Sequence, residues 1–334
     1  MKAYRIGEFG GVGALHRDDV PEPKPGPGEV AIRVRAVSLN YRDLMIARGQ
    51  YSPHLPLPLV PVSDGAGLVD EVGPGVTRFR VGDRVAGCFM PDWQAGPIDD
   101  ESSKTALGAG GVGMLAERAV LPEGGVVATP EHLSDEEAAT LPCAAVTAWH
   151  ALVDSGGIKP GDSVLVQGTG GVSVFALQFA RAAGARVIAT SSSDEKLARV
   201  LSLGASDGIN YRTTPDWEKS VRELTGGRGV DHIVEVGGAG TLPRSIKAVR
   251  SGGHIALIGV LTGGEIDPRP LLMRSIRLQG IFVGSRVMFE SMNRAIVANQ
   301  IRPVIDRVFP FDQAPAAYAH LESGSHFGKV VITI

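Results

Sequence analysis

The chain has 334 residues, a formal net charge of -3 at pH 7 and hydrophobic residues at 43% of its positions. This length is enough for two domains with separate cores, and charges of both signs are interspersed, which excludes the basic face of a nucleic-acid-binding protein. No apolar run is long enough to span a membrane, the N-terminal residues do not resemble a signal peptide, and the two cysteines are too few for a disulfide framework. We therefore expect a cytoplasmic protein that acts on a small molecule, not on nucleic acid or a membrane.

The composition of the sequence and its predicted secondary structure change twice along the chain. Residues 1–126 hold more than half of the 22 prolines and short alternating strands such as 29–39, a pattern typical of a turn-rich β domain. From 127 to 286 apolar strands alternate with helices, which predicts an α/β domain with a doubly wound parallel sheet. Residues 287–334 contain a helix and then short strands, so we predict that they fold back to complete the first domain.

The most informative motif is VLVQGTGGVS at 164–173, where an apolar strand runs into a glycine-rich loop and then an apolar helix. Glycines in such a loop allow a tight turn and close approach of the backbone, while the N–H groups that begin the helix face an anion. The motif is a GxGxxS variant, in which Ser173 keeps the helix close to the strand. It predicts a dinucleotide pyrophosphate site formed by Gly168, Gly170, Gly171 and Val172.

The residues after the next strand predict which dinucleotide binds. The strand at 186–190 is followed by Ser191 and Ser192, where an NAD site usually has a carboxylate for the ribose 2′-hydroxyl. A serine leaves room for a 2′-phosphate, and Lys196 adds positive charge within one helical turn. We therefore predict NADPH in preference to NADH, although serines here also serve to cap the following helix.

Several blocks of the chain, in this order, resemble the medium-chain dehydrogenase/reductase superfamily. The resemblance implies an α/β protein with a GroES-like, β-rich catalytic domain and a doubly wound Rossmann domain, and hydride transfer in the cleft between them. The blocks include VSLNYRDLMIARGQY at 37–51 and SDGAGLVDEVGPGVTRFRVGDRV at 63–85, and further blocks lie at 138–152, 164–173, 203–212 and 224–238.

The same resemblance bears on zinc. In the zinc-dependent members a Cys, a His (often followed by a Glu) and a later Cys or Asp hold the catalytic metal, and the matching positions here are Asn40, Ser63 with Asp64, and Cys143. A catalytic zinc normally needs three protein ligands, and this set retains one thiol. The stretch that would hold a structural zinc, residues 86–117, contains a single cysteine, Cys88. The resemblance therefore favours the zinc-independent quinone oxidoreductase branch, which is zeta-crystallin-like, and we predict no metal.

Members of that branch have an Asn and a Tyr eleven residues apart in the substrate pocket, and Asn40 and Tyr51 have this spacing. The resemblance assigns Asn40 to orienting the substrate or the nicotinamide. It assigns Tyr51 to binding a developing oxyanion or relaying a proton. The residues alone leave a second interpretation open for both side chains, in which Asn40 satisfies buried backbone groups and Tyr51 packs.

Further cofactor contacts follow from the resemblance. Thr147 is expected beside the nicotinamide amide, and Tyr211 and Arg212 beside the 2′-phosphate. Lys329 either approaches the same phosphate or extends along the surface from an edge strand. The nicotinamide pocket is expected to be lined by Gly259, Phe282, Val283 and Gly284.

Three other features have two interpretations each. The glycine-rich segment 88–114 is a surface loop or a substrate lid, and we expect Phe89, Trp93 or Met114 to contact the substrate. The charged pair of Arg42 and Asp43 is a helix cap or a surface pair rather than an acid/base dyad. His150 is a neighbour of Thr147 and an alternative acid.

The sequence therefore favours a zinc-independent, NADPH-dependent reductase of quinones or α,β-unsaturated carbonyl compounds. An alcohol dehydrogenase and a non-enzymatic NADPH-binding protein are the alternatives. We also expect a homodimer, because an exposed apolar strand, either 278–284 or 253–260, would pair with a second copy.

Overall fold

The computed structural model describes residues 1–52 and 54–334. The chain divides into two compact units. The first unit comprises Met1–Val146 and Gly284–Ile334, and the second unit comprises Thr147–Val283.

The two units contain fifteen named strands and eleven α-helices among the described residues. The strands are β1 (Lys2–Ile6), β2 (Leu15–Asp19), β3 (Glu29–Leu39), β4 (Asp64–Val72), β5 (Arg84–Gly87), β6 (Arg118–Pro122), β7 (Val126–Ala128), β8 (Ser163–Gln167), β9 (Arg186–Ser191), β10 (Asp207–Asn210), β11 (Val230–Glu235), β12 (Val249–Leu257), β13 (Arg277–Gly280), β14 (Ile305–Pro310) and β15 (Lys329–Thr333). The helices are α1 (Tyr41–Ala47), α2 (Asp100–Ser103), α3 (Asp135–Ala138), α4 (Val146–Trp149), α5 (Gly171–Ala182), α6 (Asp194–Ser202), α7 (Trp217–Leu224), α8 (Leu242–Ala248), α9 (Arg269–Met273), α10 (Arg286–Asn299) and α11 (Ala314–Glu322). Single π-helical turns cover Leu141–Ala145 and His150–Asp154.

The first unit is built on a seven-stranded sheet in the order β14-β15-β3-β4-β5-β7, with β6 pairing β3. Strand β3 is long and buried over most of its length, so it pairs with three neighbours and forms the centre of the core. The C-terminal strand β15 pairs antiparallel with β3, which places the end of the chain in this unit. The unit extends to Val146 rather than to residue 126, because β7 pairs with β5 and α3 lies against β3 and β4.

The second unit contains a six-stranded sheet in the order β10-β9-β8-β11-β12-β13, and every pair is parallel. Counted within the unit, this is the order 3-2-1-4-5-6 of a doubly wound dinucleotide-binding sheet. The central strands β8 and β11 are buried at every position, as expected for parallel strands covered by helices on both faces. The predicted doubly wound fold is confirmed.

Strand β13 forms one edge of this sheet, whereas β12 lies between β11 and β13. Of the two candidate edge strands, 253–260 is therefore wrong, because its strand has a neighbour on each side.

Within the described residues, no helix combines the length and apolar character needed to cross a bilayer.

Two buried histidines lie on neighbouring strands of the second unit. His232 Nε2 lies 3.1 Å from Asp162 Oδ2, and His254 Nε2 lies 3.1 Å from Ser155 Oγ. Burial, with a smaller contribution from the charge of Arg277, lowers the pKa of His254 from 6.5 to about 4. The folded chain therefore holds His254 neutral under conditions in which the unfolded chain protonates it.

This burial predicts a loss of stability in acid. Between pH 6.5 and about 4, His254 is protonated in the unfolded state but neutral in the folded state, so proton binding favours unfolding. The free energy of unfolding is therefore unaffected by His254 above pH 6.5 and decreases as the pH falls below it. From pH 7 to 4.5 the expected loss is about 2 kcal/mol. Urea unfolding at both pH values should show a smaller loss in His254→Gln, while exposed His16→Gln behaves as wild type. An equal loss in His254→Gln would contradict this assignment.

Candidate active site

The glycine loop of the second unit leaves its backbone open to a ligand. Gly168 follows β8 with φ +71°, a conformation that favours glycine, and Gly170 is the N-cap of α5. A Cβ atom built on either glycine would meet no described atom within 4 Å. Ser173 Oγ donates a hydrogen bond of 2.6 Å to the carbonyl of Gln167, which ties the start of α5 to the end of β8. The geometry suits an anion at the beginning of α5.

The residues predicted to bind the ribose lie at the carboxyl ends of the strands next to the glycine loop. Ser191 ends β9 and pairs in register with Asn210 at the end of β10, and the Tyr211 N–H donates to the Ser191 carbonyl at 3.0 Å. Strand β9 neighbours β8, so the serines, Tyr211 and Arg212 follow strands adjacent to the glycine loop. Tyr211 and Arg212 are exposed. The structure therefore brings together the residues that were predicted to bind the adenosine end of the cofactor.

The serines also cap the next helix, as the sequence allowed. The Ser193 N–H donates to Ser191 Oγ, and Ser193 Oγ accepts from the N–H of Lys196 at 3.3 Å. Ser192 is half-buried between them. Contacts of Ser191, Ser192 and Lys196 with a 2′-phosphate stay predictions.

Gly259 and Val283 follow the carboxyl ends of β12 and β13, and both have unusual backbone environments. A Cβ on Gly259 would lie 1.7 Å from the carbonyl oxygen of Val236, so only glycine fits. Val283 has φ +57°, which is strained for a β-branched residue, and its carbonyl accepts a hydrogen bond from His150 Nδ1 at 2.7 Å. His150 thus holds this turn, and its use as an acid is not supported. Thr147 is buried, and its contact with nicotinamide stays a prediction, as do those of Phe282 and Gly284.

Glu235 was missed by the sequence analysis. It is fully buried at the end of β11, where Oε1 accepts from the N–H of Gly237 at 2.8 Å and Oε2 accepts from Gln167 Nε2 at 2.8 Å. The hydroxyls of Thr241 and Ser245 donate to the same carboxylate. Glu235 therefore fixes the turn after β11 against the end of β8. A carboxylate inside an apolar strand and before two glycines was the signal in the sequence.

Gly259→Ala is expected to weaken binding of the nicotinamide cofactor, because the new methyl group must displace the backbone of Val236 and the turn that Glu235 holds. Overpacking of this kind costs about 1–3 kcal/mol, or roughly tenfold or more in Kd if the strain falls on the bound state. Fluorescence titration with NADPH measures the effect. Gly263→Ala is the matched control, because its Cβ meets no described atom within 4 Å. Equal Kd values for both variants would contradict the prediction.

In the first unit, three neighbouring strands bring polar side chains to one end of the sheet. Asn40 follows β3, Asp64 begins β4 and Lys329 begins β15. The register pairs Val330 with Leu39 and Asp64 with Ser38, so the three side chains are neighbours although they are far apart in sequence. Lys329 Nζ donates to Asn40 Oδ1 at 2.6 Å and to the Leu39 carbonyl at 2.7 Å.

Asp64 is the buried carboxylate of this cluster. Its Oδ1 accepts from Ser63 Oγ at 2.7 Å, and its Oδ2 accepts from the N–H of Cys143 at 3.1 Å. Burial raises the pKa of Asp64, and the Lys329 ammonium opposes that rise. Burial, together with the charge of Asp64, also raises the pKa of the Cys143 thiol. The Cys143 sulfur is therefore a poor nucleophile and a poor anionic ligand in this environment.

Asp43 is a helix cap, but it is buried and not a surface residue. Its Oδ2 accepts from the Asn40 N–H at 2.7 Å at the start of α1. Burial raises the pKa of Asp43 to about 6, and the charge of Arg42 opposes the rise. Asp43 thus fixes the backbone of Asn40, while Lys329 fixes its side chain.

Tyr51 is connected to this cluster through Arg42. The Arg42 guanidinium carbon lies 4.7 Å from the ring centroids of both Tyr51 and Phe89, and Nη1 donates to the carbonyl of Leu107 at 2.8 Å. Among the described residues, Arg42 Nε and Nη2 have no hydrogen-bond partner. Cation–π contacts with two rings hold Tyr51 and Phe89 in place, and Tyr51 stays partly exposed.

Several predicted contacts need correction. Lys329 is not on an edge strand, because β15 pairs with both β14 and β3. The Lys329 ammonium is buried among acceptors of the first unit, which argues against a contact with the 2′-phosphate. Met114 is fully buried in the core against Gly65, and its contact with the substrate stays a prediction, as do those of Phe89 and Trp93. The segment 88–114 is not an exposed lid throughout, since Phe89 and Trp93 are buried; Trp93 Nε1 donates to Gly96 O.

Comparison with known families and proteins agrees with this architecture. Residues 26–131 match the model described as the alcohol dehydrogenase GroES-like domain, and residues 171–298 match the model described as zinc-binding dehydrogenase. The chain is 48% identical to a zinc-type alcohol dehydrogenase-like protein of Schizosaccharomyces pombe, covering 95% of this chain and 93% of the relative. The chain belongs to the medium-chain dehydrogenase/reductase superfamily. It is an NAD(P)-dependent oxidoreductase of that superfamily, which confirms the predicted superfamily, fold class and enzyme class.

Other members of the superfamily resemble the chain over its whole length. The human quinone oxidoreductase is 30% identical, covering 100% of this chain and 98% of the relative. A solved structure of an NAD-dependent alcohol dehydrogenase is 39% identical with a TM-score of 0.91, and each chain is covered completely. A mycobacterial protein solved in complex with NADPH is 30% identical with a TM-score of 0.84, again with complete coverage of both chains.

The donor set at the zinc position does not fit a catalytic zinc. Asn40, Ser63, Asp64 and Cys143 provide one carboxylate and one thiol whose pKa is raised, and the ammonium of Lys329 is bound among them. Among the described residues, no group of three His, Cys, Asp or Glu side chains is placed to hold a metal ion. A fixed cation in this position repels a second one, and three protein ligands are the usual minimum.

Proposed function

We propose that this member of the superfamily is a zinc-independent, NADPH-dependent reductase of quinones or α,β-unsaturated carbonyl compounds. The observation that carries the proposal is the ammonium of Lys329, bound to Asn40 Oδ1 at 2.6 Å where the resemblance places a metal ligand. The similarity to quinone oxidoreductases supports it at modest identity.

The class of substrate follows from the charge that the site must stabilise. Reduction of an isolated carbonyl builds full negative charge on one oxygen, which a Lewis-acid metal stabilises well. In a conjugated acceptor the hydride is added at carbon, and the charge spreads to a distant oxygen, where hydrogen-bond donors suffice. When bound, NADPH supplies that hydride with its two electrons, and the solvent supplies the balancing proton.

The residues of the chain then have distinct tasks. The loop of Gly168 and Gly170 binds the pyrophosphate at the start of α5, and Ser191 with Arg212 binds the 2′-phosphate. Asn40 donates to the substrate oxygen, and the Tyr51 hydroxyl holds the same oxygen or passes a proton to it. Arg42 keeps the Tyr51 ring in place.

A substrate panel tests the proposal. Purified protein, stripped of metal with EDTA and checked for zinc by mass spectrometry, is assayed with NADPH and NADH against 1,4-benzoquinone, a cyclic enone and a saturated ketone, and with NADP⁺ against secondary alcohols. We expect turnover of the conjugated acceptors with NADPH and no dependence on zinc. Activity on saturated ketones or alcohols that requires stoichiometric zinc would establish the alcohol dehydrogenase alternative, and binding of NADPH without turnover would contradict the reductase.

We also propose that the protein is a homodimer joined through the second unit. Strand β13 is a sheet edge, and the preceding helix α9 exposes Leu272 and Met273 at 80% and 81% of their surface. An unpaired edge next to exposed apolar side chains favours pairing with a second copy. Light scattering should show a dimer for wild type, a monomer for Leu272→Asp with Met273→Asp, and a dimer for the control Leu201→Asp on α6. A monomeric wild type would contradict the proposal.

A further inference from the structure

The side-chain amide of Asn40 has a defined orientation, because its neighbour is a cation. An ammonium has three donors and no acceptor, so the atom 2.6 Å from Lys329 Nζ must be the amide oxygen. The usual ambiguity between the oxygen and nitrogen of an amide is absent here. The Asn40 NH₂ group therefore occupies the opposite position.

This NH₂ group is buried and has two N–H donors, of which the neighbouring Asp64 carboxylate accepts at most one. Among the described residues, Asn40 Nδ2 makes no hydrogen bond of normal geometry. A buried amide donor left unpaired costs about 1–3 kcal/mol. Such a cost persists at a site where the missing partner is a ligand.

The rest of the cluster keeps the amide from rotating. Lys329 is 3% exposed and is held by the Leu39 carbonyl as well as by Asn40, and the Asn40 N–H is bound to Asp43. The carboxylate of Asp64 balances the ammonium, accepts from Ser63 and Cys143, and lies beside the Asn40 amide. Rotation of the amide would bring its NH₂ group against an ammonium, which cannot accept a hydrogen bond.

We propose that Lys329 is a positioning residue: its ammonium fixes the Asn40 amide so that Nδ2 donates to the oxygen of the substrate on which negative charge develops. This inference rests on the proposed reductase function and deepens it. It assigns Lys329 to the substrate site through Asn40, in place of the cofactor phosphate contact predicted from the sequence.

Asn40→Asp and Lys329→Met test the proposal. Asn40→Asp has nearly the same shape and keeps an acceptor for Lys329, but it loses the donor; Lys329→Met keeps the length of the side chain and loses the charge. We expect each to lower kcat for the best conjugated acceptor by about a hundredfold, the usual effect of losing one oxyanion donor, with an unchanged Kd for NADPH. The control Asn299→Asp makes the same change at an exposed position of the first unit and should leave kcat unchanged.

A double-mutant cycle separates positioning from a structural role. If Lys329 acts through Asn40, the double variant should be no slower than Asn40→Asp within about threefold, because effects on one shared interaction are not additive. Multiplied losses in kcat, or a Kd for NADPH that changes with Lys329→Met, would overturn the proposal.

The outcome does not depend on whether Lys329→Met folds, which circular dichroism monitors. Full kcat in Asn40→Asp alone would also overturn the proposal. Failure of the reductase function itself is a separate result, since it is a lack of turnover by the wild-type protein.

Discussion

Tyr51→Phe is expected to lower kcat by about a hundredfold for quinones or enones, the usual range for loss of a positioned acid or donor, while the Kd for NADPH stays at the wild-type value. The substitution removes only the hydroxyl. The ring of phenylalanine still packs on the Arg42 guanidinium, which lies 4.7 Å from the ring centroid of Tyr51, so the fold around it should persist. Steady-state kinetics and fluorescence titration with NADPH measure the two quantities.

Tyr41→Phe provides the control for this prediction. Tyr41 is 49% exposed at the start of α1, so loss of its hydroxyl should leave kcat unchanged. A kcat for Tyr51→Phe within threefold of wild type would show that Tyr51 only packs, which is the second interpretation that the sequence left open.

Ser191→Asp is expected to reverse the preference between NADPH and NADH. The carboxylate can still accept from the N–H of Ser193, as Ser191 Oγ does, so the end of β9 keeps its hydrogen bond. It would repel a 2′-phosphate and accept from a 2′-hydroxyl. The substitution replaces a hydrogen bond to the 2′-phosphate of NADPH with repulsion and adds a charged hydrogen bond to the 2′-hydroxyl of NADH, and each change is equivalent to about 1.5–3 kcal/mol. The ratio of kcat/KM for NADPH to kcat/KM for NADH should therefore fall by about a thousandfold.

The same charge placed elsewhere in the second unit separates a local from a general effect. Ser202→Asp, at the exposed end of α6, adds one negative charge away from the ends of β9 and β10 and should leave the ratio unchanged. A wild-type preference for NADPH that survives in Ser191→Asp would contradict the assignment of this residue to the ribose.

The second unit was predictable from sequence because its signals are local. The glycine loop, the strand before it and the helix after it lie within 164–185, and the serines after β9 follow at the next strand. The parallel order of the sheet then brings the ends of β8, β9 and β10 together without any further information.

The first unit was less predictable because its site depends on strand register. Lys329 is opposite Asn40 only because β15 pairs with β3 at Val330 and Leu39, residues from the two ends of the chain. Met114 looked like a loop residue in a glycine-rich segment, yet the close approach of Gly65 makes room for it in the core. Neither contact leaves a signal in the residues that surround it in sequence.

The ends of the second unit have a consequence for how such enzymes can be rebuilt. The hydrogen bond between His150 and Val283 holds the first and last turns of the segment Thr147–Val283 together. In the first unit, a Cβ on Gly284 would lie 2.7 Å from Val146, so the two ends that flank this segment are also neighbours. A cassette whose entrance and exit are neighbours can be removed, and the host chain can be rejoined by a linker of a few residues. We therefore expect that the proposed coenzyme preference can be exchanged by transplanting this single segment, without a change to any residue of the proposed substrate site.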